Sequence, residues 1–174
     1  MYAEEMSGSQ PERLTLFDFV DAVPLGDTDM MSMPTLTDPS VGPETFMEWA
    51  ASAGHVVKVL YRGEGDDGLS LVWSWFGPNY TLPRHSHSAD CLYYVVRGEA
   101  RLGNRVVVAG SGFFVPADAP YAYSAGPEGI EILEFRQATD FDMVISEKAP
   151  RWQAIIDGAR AHADAWAQEA PAHR

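Results

Sequence analysis

Between residues 55 and 136 glycine or proline recurs every several residues, at Gly63, Gly65, Gly68, Gly77, Pro78 and Pro83, then at Gly98, Gly103, Gly110, Gly112, Pro116, Pro120, Gly126 and Gly129. The runs between these breakers are dominated by valine and aromatic residues. Many short strands joined by regular turns make a sandwich or a barrel, so this stretch reads as all-β. The expected strands are 56–62, 69–76, 92–96, 100–102, 105–108, 112–115, 121–124 and 130–136, with Gly103-Asn104 as a tight hairpin turn. Because side chains alternate along a strand, Leu71, Trp73 and Trp75 share one face.

The flanks differ. Residues 1–13 are polar and aperiodic and read as a mobile tail. Residues 14–23 are apolar enough for a short helix or an edge strand, and 24–43 read as a long wrapping segment. Pro43-Glu44-Thr45 opens a short helix reaching Ala53, since proline suits a first turn and the acid complements the helix dipole. Beyond the strands, 151–169 place Trp152, Ile155, Ile156, Ala159 and Ala163 at helical spacing, a helix for an outer barrel face or a partner subunit. The organisation read from sequence is 1–54, an N-terminal tail, wrapping segment and short helix; 55–136, the barrel; and 137–174, a C-terminal helical extension.

Charge narrows the partners. Lys plus Arg total 12 against 25 Asp plus Glu, a net charge of −13, so nucleic acid would meet net repulsion. The single cysteine, Cys91, makes no disulfide within the chain, which points to a reducing compartment. The start lacks the basic head and apolar stretch of a secretory signal, and no apolar run approaches the ~20 residues of a membrane helix. The expectation is a cytoplasmic protein with neither a nucleic-acid nor a membrane partner.

The chemistry concentrates between Gly77 and Gly98. In an extended segment His85 and His87 point to the same side, where two imidazoles can reach one cation with bonds of ~2.0–2.1 Å. If the strand resumes in phase, Cys91 and Tyr93 share that face, and a thiolate would be a third donor. Taken alone, each residue also has a plain structural reading: a solvated His-x-His, a small buried cysteine, aromatic core. Glu134 alternates with apolar neighbours and reads equally as an inward base or an outward carboxylate. Neither a phosphate-binding glycine loop nor a serine-hydrolase elbow is present.

The segment from Gly77 through His85-Ser-His87 and position 91 to Gly98 resembles the first signature of the cupin superfamily: Gly, His-x-His, a glutamate, then Gly. Gly110-Ser-Gly-Phe-Phe-Val-Pro116-Ala-Asp118-Ala-Pro120-Tyr121 is similar to the second, Gly, five residues, Pro-x-Gly-x-x-His. The resemblance covers roughly 55–136 and implies a double-stranded β-helix, or jelly-roll, barrel. It also implies a site of three histidines and one carboxylate, and here this chain departs from the pattern. Cys91 stands where the glutamate is usual, Tyr121 where the third histidine is usual, and Asp118 replaces the glycine.

Three readings remain open. The metal is retained by His85, His87, Cys91 and Tyr121, a softer donor set; or the two histidines hold an ion weakly and water or substrate completes its shell; or the barrel binds only an organic ligand. The implied cofactor is a divalent transition metal, among zinc, iron, nickel, copper and manganese. The expected ligand wall is Trp73, Trp75, Tyr93, Phe114 and Tyr123. The leading function is a metal-dependent oxygenase or lyase/isomerase on a small organic acid or carbonyl compound, the alternative a metal-free sensor or storage barrel. A homodimer is expected from the tryptophan-bearing helix.

Overall fold

The computed structural model describes residues 14–65 and 68–171. The proposed tail, 1–13, lies outside the described residues, as do Asp66, Asp67 and residues 172–174.

The centre is an antiparallel sheet built on two long strands, β6 (Cys91–Leu102) and β9 (Ser124–Arg136). Its order is β1 (Val23–Pro24), β3 (His55–Arg62), β4 (Ser70–Phe76), β9, β6, β7 (Arg105–Val108), with β8 (Gly112–Val115) pairing the start of β6. A second sheet joins β2 (Thr35–Leu36), β10 (Val144–Ile145) and β5 (His85–Ser86). With the helices α1 (Pro43–Ala50) and α2 (Ala149–Glu169) outside, the protein is an all-β jelly roll with short N-terminal elements and a C-terminal helix.

Sequence reading breaks β6 and β9 in two, at Arg97-Gly98 and near Gly126 to Gly129, whereas each runs through as one strand. The reason is local. Gly98 and Gly129 take positive φ (74° and 76°), and a Cβ at Gly98 would lie 2.1 Å from the Gly129 carbonyl oxygen. The register between the strands shifts between Val95 and Arg97 and between Gly98 and Ala100, so the ladder bends instead of ending. The glycines are bulge residues. Gly103-Asn104 is the two-residue hairpin connection expected, with Leu102 paired to Arg105.

The segment 14–43 does more than wrap. Phe19–Asp21 and Leu25–Asp27 are single 3₁₀ turns, β1 pairs with β3 as an edge strand, and β2 lies parallel to β10. Helix α2 buries Trp152, Ile155, Ile156, Ala159 and Trp166 on one face. That face covers this chain's own barrel: Trp166 Nε1 donates to the Pro78 carbonyl at 3.0 Å and Trp152 meets Trp49 edge-on at 6.1 Å. A Cβ at Gly77 would sit 2.3 Å from the Trp166 ring, so glycine there admits the indole. Among the described residues no helix is long and apolar enough to cross a membrane.

Candidate functional site

Two backbone pairings assemble the site. His85 and Tyr121 exchange both hydrogen bonds at 2.9 Å, and the Asp118 amide donates to the His87 carbonyl at 2.7 Å. These put the second motif's segment beside the first, so the Tyr121 ring lies 4.4 Å from that of His85. On its other edge β5 is held by β10, Ile145 opposite His85.

The imidazoles are close, with ring centroids 4.9 Å apart at 69°, and both line a cavity of ≈ 450 Å³. Each Nδ1 lies on a backbone carbonyl: His85 donates to Pro83 at 2.7 Å and His87 to Asp142 at 2.6 Å. A carbonyl only accepts, so the proton sits on Nδ1 and each Nε2 keeps its lone pair. Burial pushes His85 down to about 3, with the neighbouring His87 adding to the effect. Burial, then the Arg136 charge, pushes His87 down to about 4. Both rings are neutral bases at pH 7. Metal-binding histidines share this Nδ1 pattern, donating the other ring nitrogen to a carbonyl or carboxylate.

The other two expected donors do not complete a shell. Cys91 is on the inward face with Tyr93 and Val95, as alternation predicts, but it packs into the core and is not among the cavity's lining residues. Burial pushes its thiol up to about 12, which keeps it protonated. Tyr121 does line the cavity, yet its hydroxyl is hydrogen-bonded to that of Tyr93. Burial raises the Tyr121 phenol far above its usual range. Among the described residues no group of three His, Cys, Asp or Glu side chains is placed to hold an ion. The residues fit a pair of imidazole donors and do not fit the four-donor centre that the resemblance implies.

The expected ligand wall needs a larger correction. Tyr93 and Tyr123 line the cavity. Trp73, Trp75 and Phe114 do not. Alternation puts both tryptophans on the face of β4 opposite Ser74 and Phe76; Trp73 is covered edge-on by Phe19 at 4.9 Å, and Trp75 lies beside Arg97 and Glu131. Strand β4 is buried on both faces, so aromatic residues could not reveal which face is inside. Phe114 is 57% exposed, and its neighbour Phe113 turns inward to stack on Tyr93 at 4.6 Å.

Sequence reading missed most of the remaining wall. Phe46 and Trp49 come from α1, His55 and Val57 from β3, Phe76 from β4 and Leu82 from the loop before the histidines. His55, the first residue of β3, lines the cavity with Nδ1 3.0 Å from the Tyr80 hydroxyl. Glu134 points inward: Ser74 Oγ donates to its Oε1 at 2.8 Å and Arg136 Nη2 to its Oε2 at 2.5 Å. Burial alone would raise this carboxyl, but the Arg136 charge and the two hydrogen bonds outweigh it, and Glu134 ends below its ordinary 4.5. Arg136, 2% exposed, lies against Phe141 with Cζ 4.1 Å from the ring centroid. The period-2 placement of Glu134 and Arg136 between Ile132 and the strand end was the only signal available for the pair.

No family model and no curated protein matches this chain. Solved structures do. The DMSP lyases RdDddP and RnDddQII are matched at 27% identity and a TM-score of 0.42, covering 47% of this chain and 46% of that one, so this chain spans less than half of that relative's length. An RmlC-like cupin from Shewanella frigidimarina matches at 24% identity and 0.43, covering 49% and 78%. KdgF from Halomonas sp. matches at 24% and 0.43, covering 50% and 82%. Each likeness extends over about half of this chain and brings no substrate or cofactor with it. The motif strands paired through His85 and Tyr121, set in an antiparallel jelly roll, are the arrangement that the cupin resemblance implies.

Proposed function

We propose that this protein binds a small, largely apolar organic molecule inside its barrel. One observation carries this reading: a cavity of ≈ 450 Å³ whose walls of Phe46, Trp49, Phe76 and Leu82 converge on a few polar groups at the His85–Tyr121 end. Compact ligands occupy cavities of about this size, with apolar walls supplying affinity and a few fixed polar groups supplying orientation. The neutral imidazoles offer two acceptors, and the Tyr93–Tyr121 hydroxyl pair offers a donor.

The test is calorimetric titration with neutral small aromatics such as phenol, benzyl alcohol and indole. Saturable binding is expected in the wild type and its loss in Ala50→Trp, which fills the wall beside Trp49. Absence of binding in the wild type, or equal binding in the filled variant, would overturn the reading.

A second reading rests on the two carbonyl-fixed Nδ1 atoms. They leave both Nε2 lone pairs able to hold a divalent transition ion such as zinc, iron, nickel, copper or manganese. The ligand or water would then supply the donors that Cys91 and Tyr121 do not, and the protein would belong with metal-dependent oxygenases or lyases/isomerases. Metal content of untagged protein is the check. Stoichiometric metal in the wild type and none in His85→Ala/His87→Ala supports it, and equal content in the two removes it.

A further inference from the structure

Arg136 is buried within the cavity wall and only partly used. Guanidinium carries five N–H donors. Nη2 donates to Glu134, whose other oxygen is taken by Ser74, while Nε and Nη1 have no acceptor among the described residues. Directly across the ladder, Ser70 Oγ is buried and likewise without a partner. One face of the guanidinium is covered by Phe141. A buried donor left without an acceptor is costly, and three unmatched N–H groups on a residue that lines a ligand-sized cavity call for an acceptor brought by the ligand.

The geometry points to Arg136 as the anchor for the carboxylate of the cavity's ligand, an apolar-bodied organic acid. This rests on the cavity reading above and adds the ligand's charge class. A carboxylate suits these donors better than a neutral carbonyl because its two oxygens offer about four lone-pair sites, and because hydrogen bonds between charged partners are roughly twice as strong. Each Glu134 oxygen already accepts one hydrogen bond, from Ser74 and from Nη2, and the unused donors are Nε and Nη1. Whichever hydroxyl accepts in the Tyr93–Tyr121 bond still has its own proton to donate, a further hold on the added negative charge. The apolar remainder of the acid lies along Trp49, Phe76 and Leu82.

Calorimetric titration with phenylacetate and its neutral isostere phenylacetamide tests the assignment, with the neutral aromatics as reference. Wild type should prefer the acid by roughly 10- to 100-fold, the range for hydrogen bonds to a charged group. Glu134→Gln, which removes the competing negative charge, should tighten phenylacetate selectively. Glu134→Gln/Arg136→Gln, which leaves no unpaired buried charge, should lose the preference for phenylacetate over phenylacetamide in protein whose circular dichroism matches the wild type. Equal binding of acid and amide by wild type, or a preference surviving in the double variant, overturns the anchor while the cavity reading stands. Failure of every compound to bind overturns both.

Discussion

The cavity has two polar walls, and they are held by different means. On one side His85, His87 and Tyr121 are neutral, and each imidazole is oriented by a backbone carbonyl. On the other, Glu134 and Arg136 are charged and depend on each other and on Ser74, sixty residues away from Glu134 in sequence. Neutral rings fixed by main chain keep their places when a neighbour changes. Buried charges do not, because removing one leaves the other without compensation.

Acidification should produce the largest effect, and it separates the walls. Unfolded imidazoles take up protons below 6.5, while His85 and His87 in the fold resist until about 3 and about 4. The unfolded state therefore binds more protons in that interval. Their contribution to stability is complete above 6.5 and is lost as the pH falls through those lower values, by up to about 1.4 kcal/mol per ring per pH unit. Glu134, with its depressed carboxyl, acts in the same direction below 4.5. Denaturant unfolding from pH 7.5 to 3.5 should show the loss in wild type, and His85→Gln/His87→Gln should remove most of the part above pH 4.5, the remainder coming from His55, which burial also lowers. A flat profile in wild type would contradict the buried neutral rings.

The charged wall is next. Arg136→Met should cost about 3–5 kcal/mol by stranding Glu134, whereas Glu134→Leu/Arg136→Met should lie near wild type. A single variant as stable as the double would refute the coupling. On the neutral wall, Tyr121→Phe should cost about 1–3 kcal/mol, because it leaves the Tyr93 hydroxyl buried without its partner. Adding Tyr93→Phe should cost less than the sum of the two, which a double-mutant cycle measures. The smallest effect is expected outside both walls. Phe114→Ser should change stability by less than about 0.5 kcal/mol and leave titrations with neutral aromatics unchanged.

How much of this was legible follows the same division. His85, His87, Tyr93, Tyr121 and Tyr123 line the cavity, and they were singled out because motif spacing and strand alternation are local properties. The order of the two motifs also carried the jelly roll. Trp73, Trp75 and Phe114 were misplaced because alternation states which residues share a face, never which face is inside. Strand β4 is covered on its second face by Phe19, which comes from a segment with no clear period of its own. Cys91 was placed on the correct face, yet packing buried it away from the ion pair's cavity neighbours instead of opening it toward the imidazoles. Arg136 carried only its period-2 relation to Glu134, since an arginine near a strand end is ordinary until its register partner is known.

The sequence by itself determined the all-β core, the turns that punctuate it, the amphipathic C-terminal helix and the paired histidines on one side of an extended segment. These follow from periods of two and of 3.6 residues and from the backbone preferences of glycine and proline, all of which act within a few residues. Tertiary structure alone decided that Tyr121 meets His85, that Ser74 and Arg136 share Glu134, and that three N–H groups of one guanidinium have no acceptor among the described residues. Such facts depend on strand register between segments far apart in the chain, where a side chain's role is set by what the fold brings opposite it.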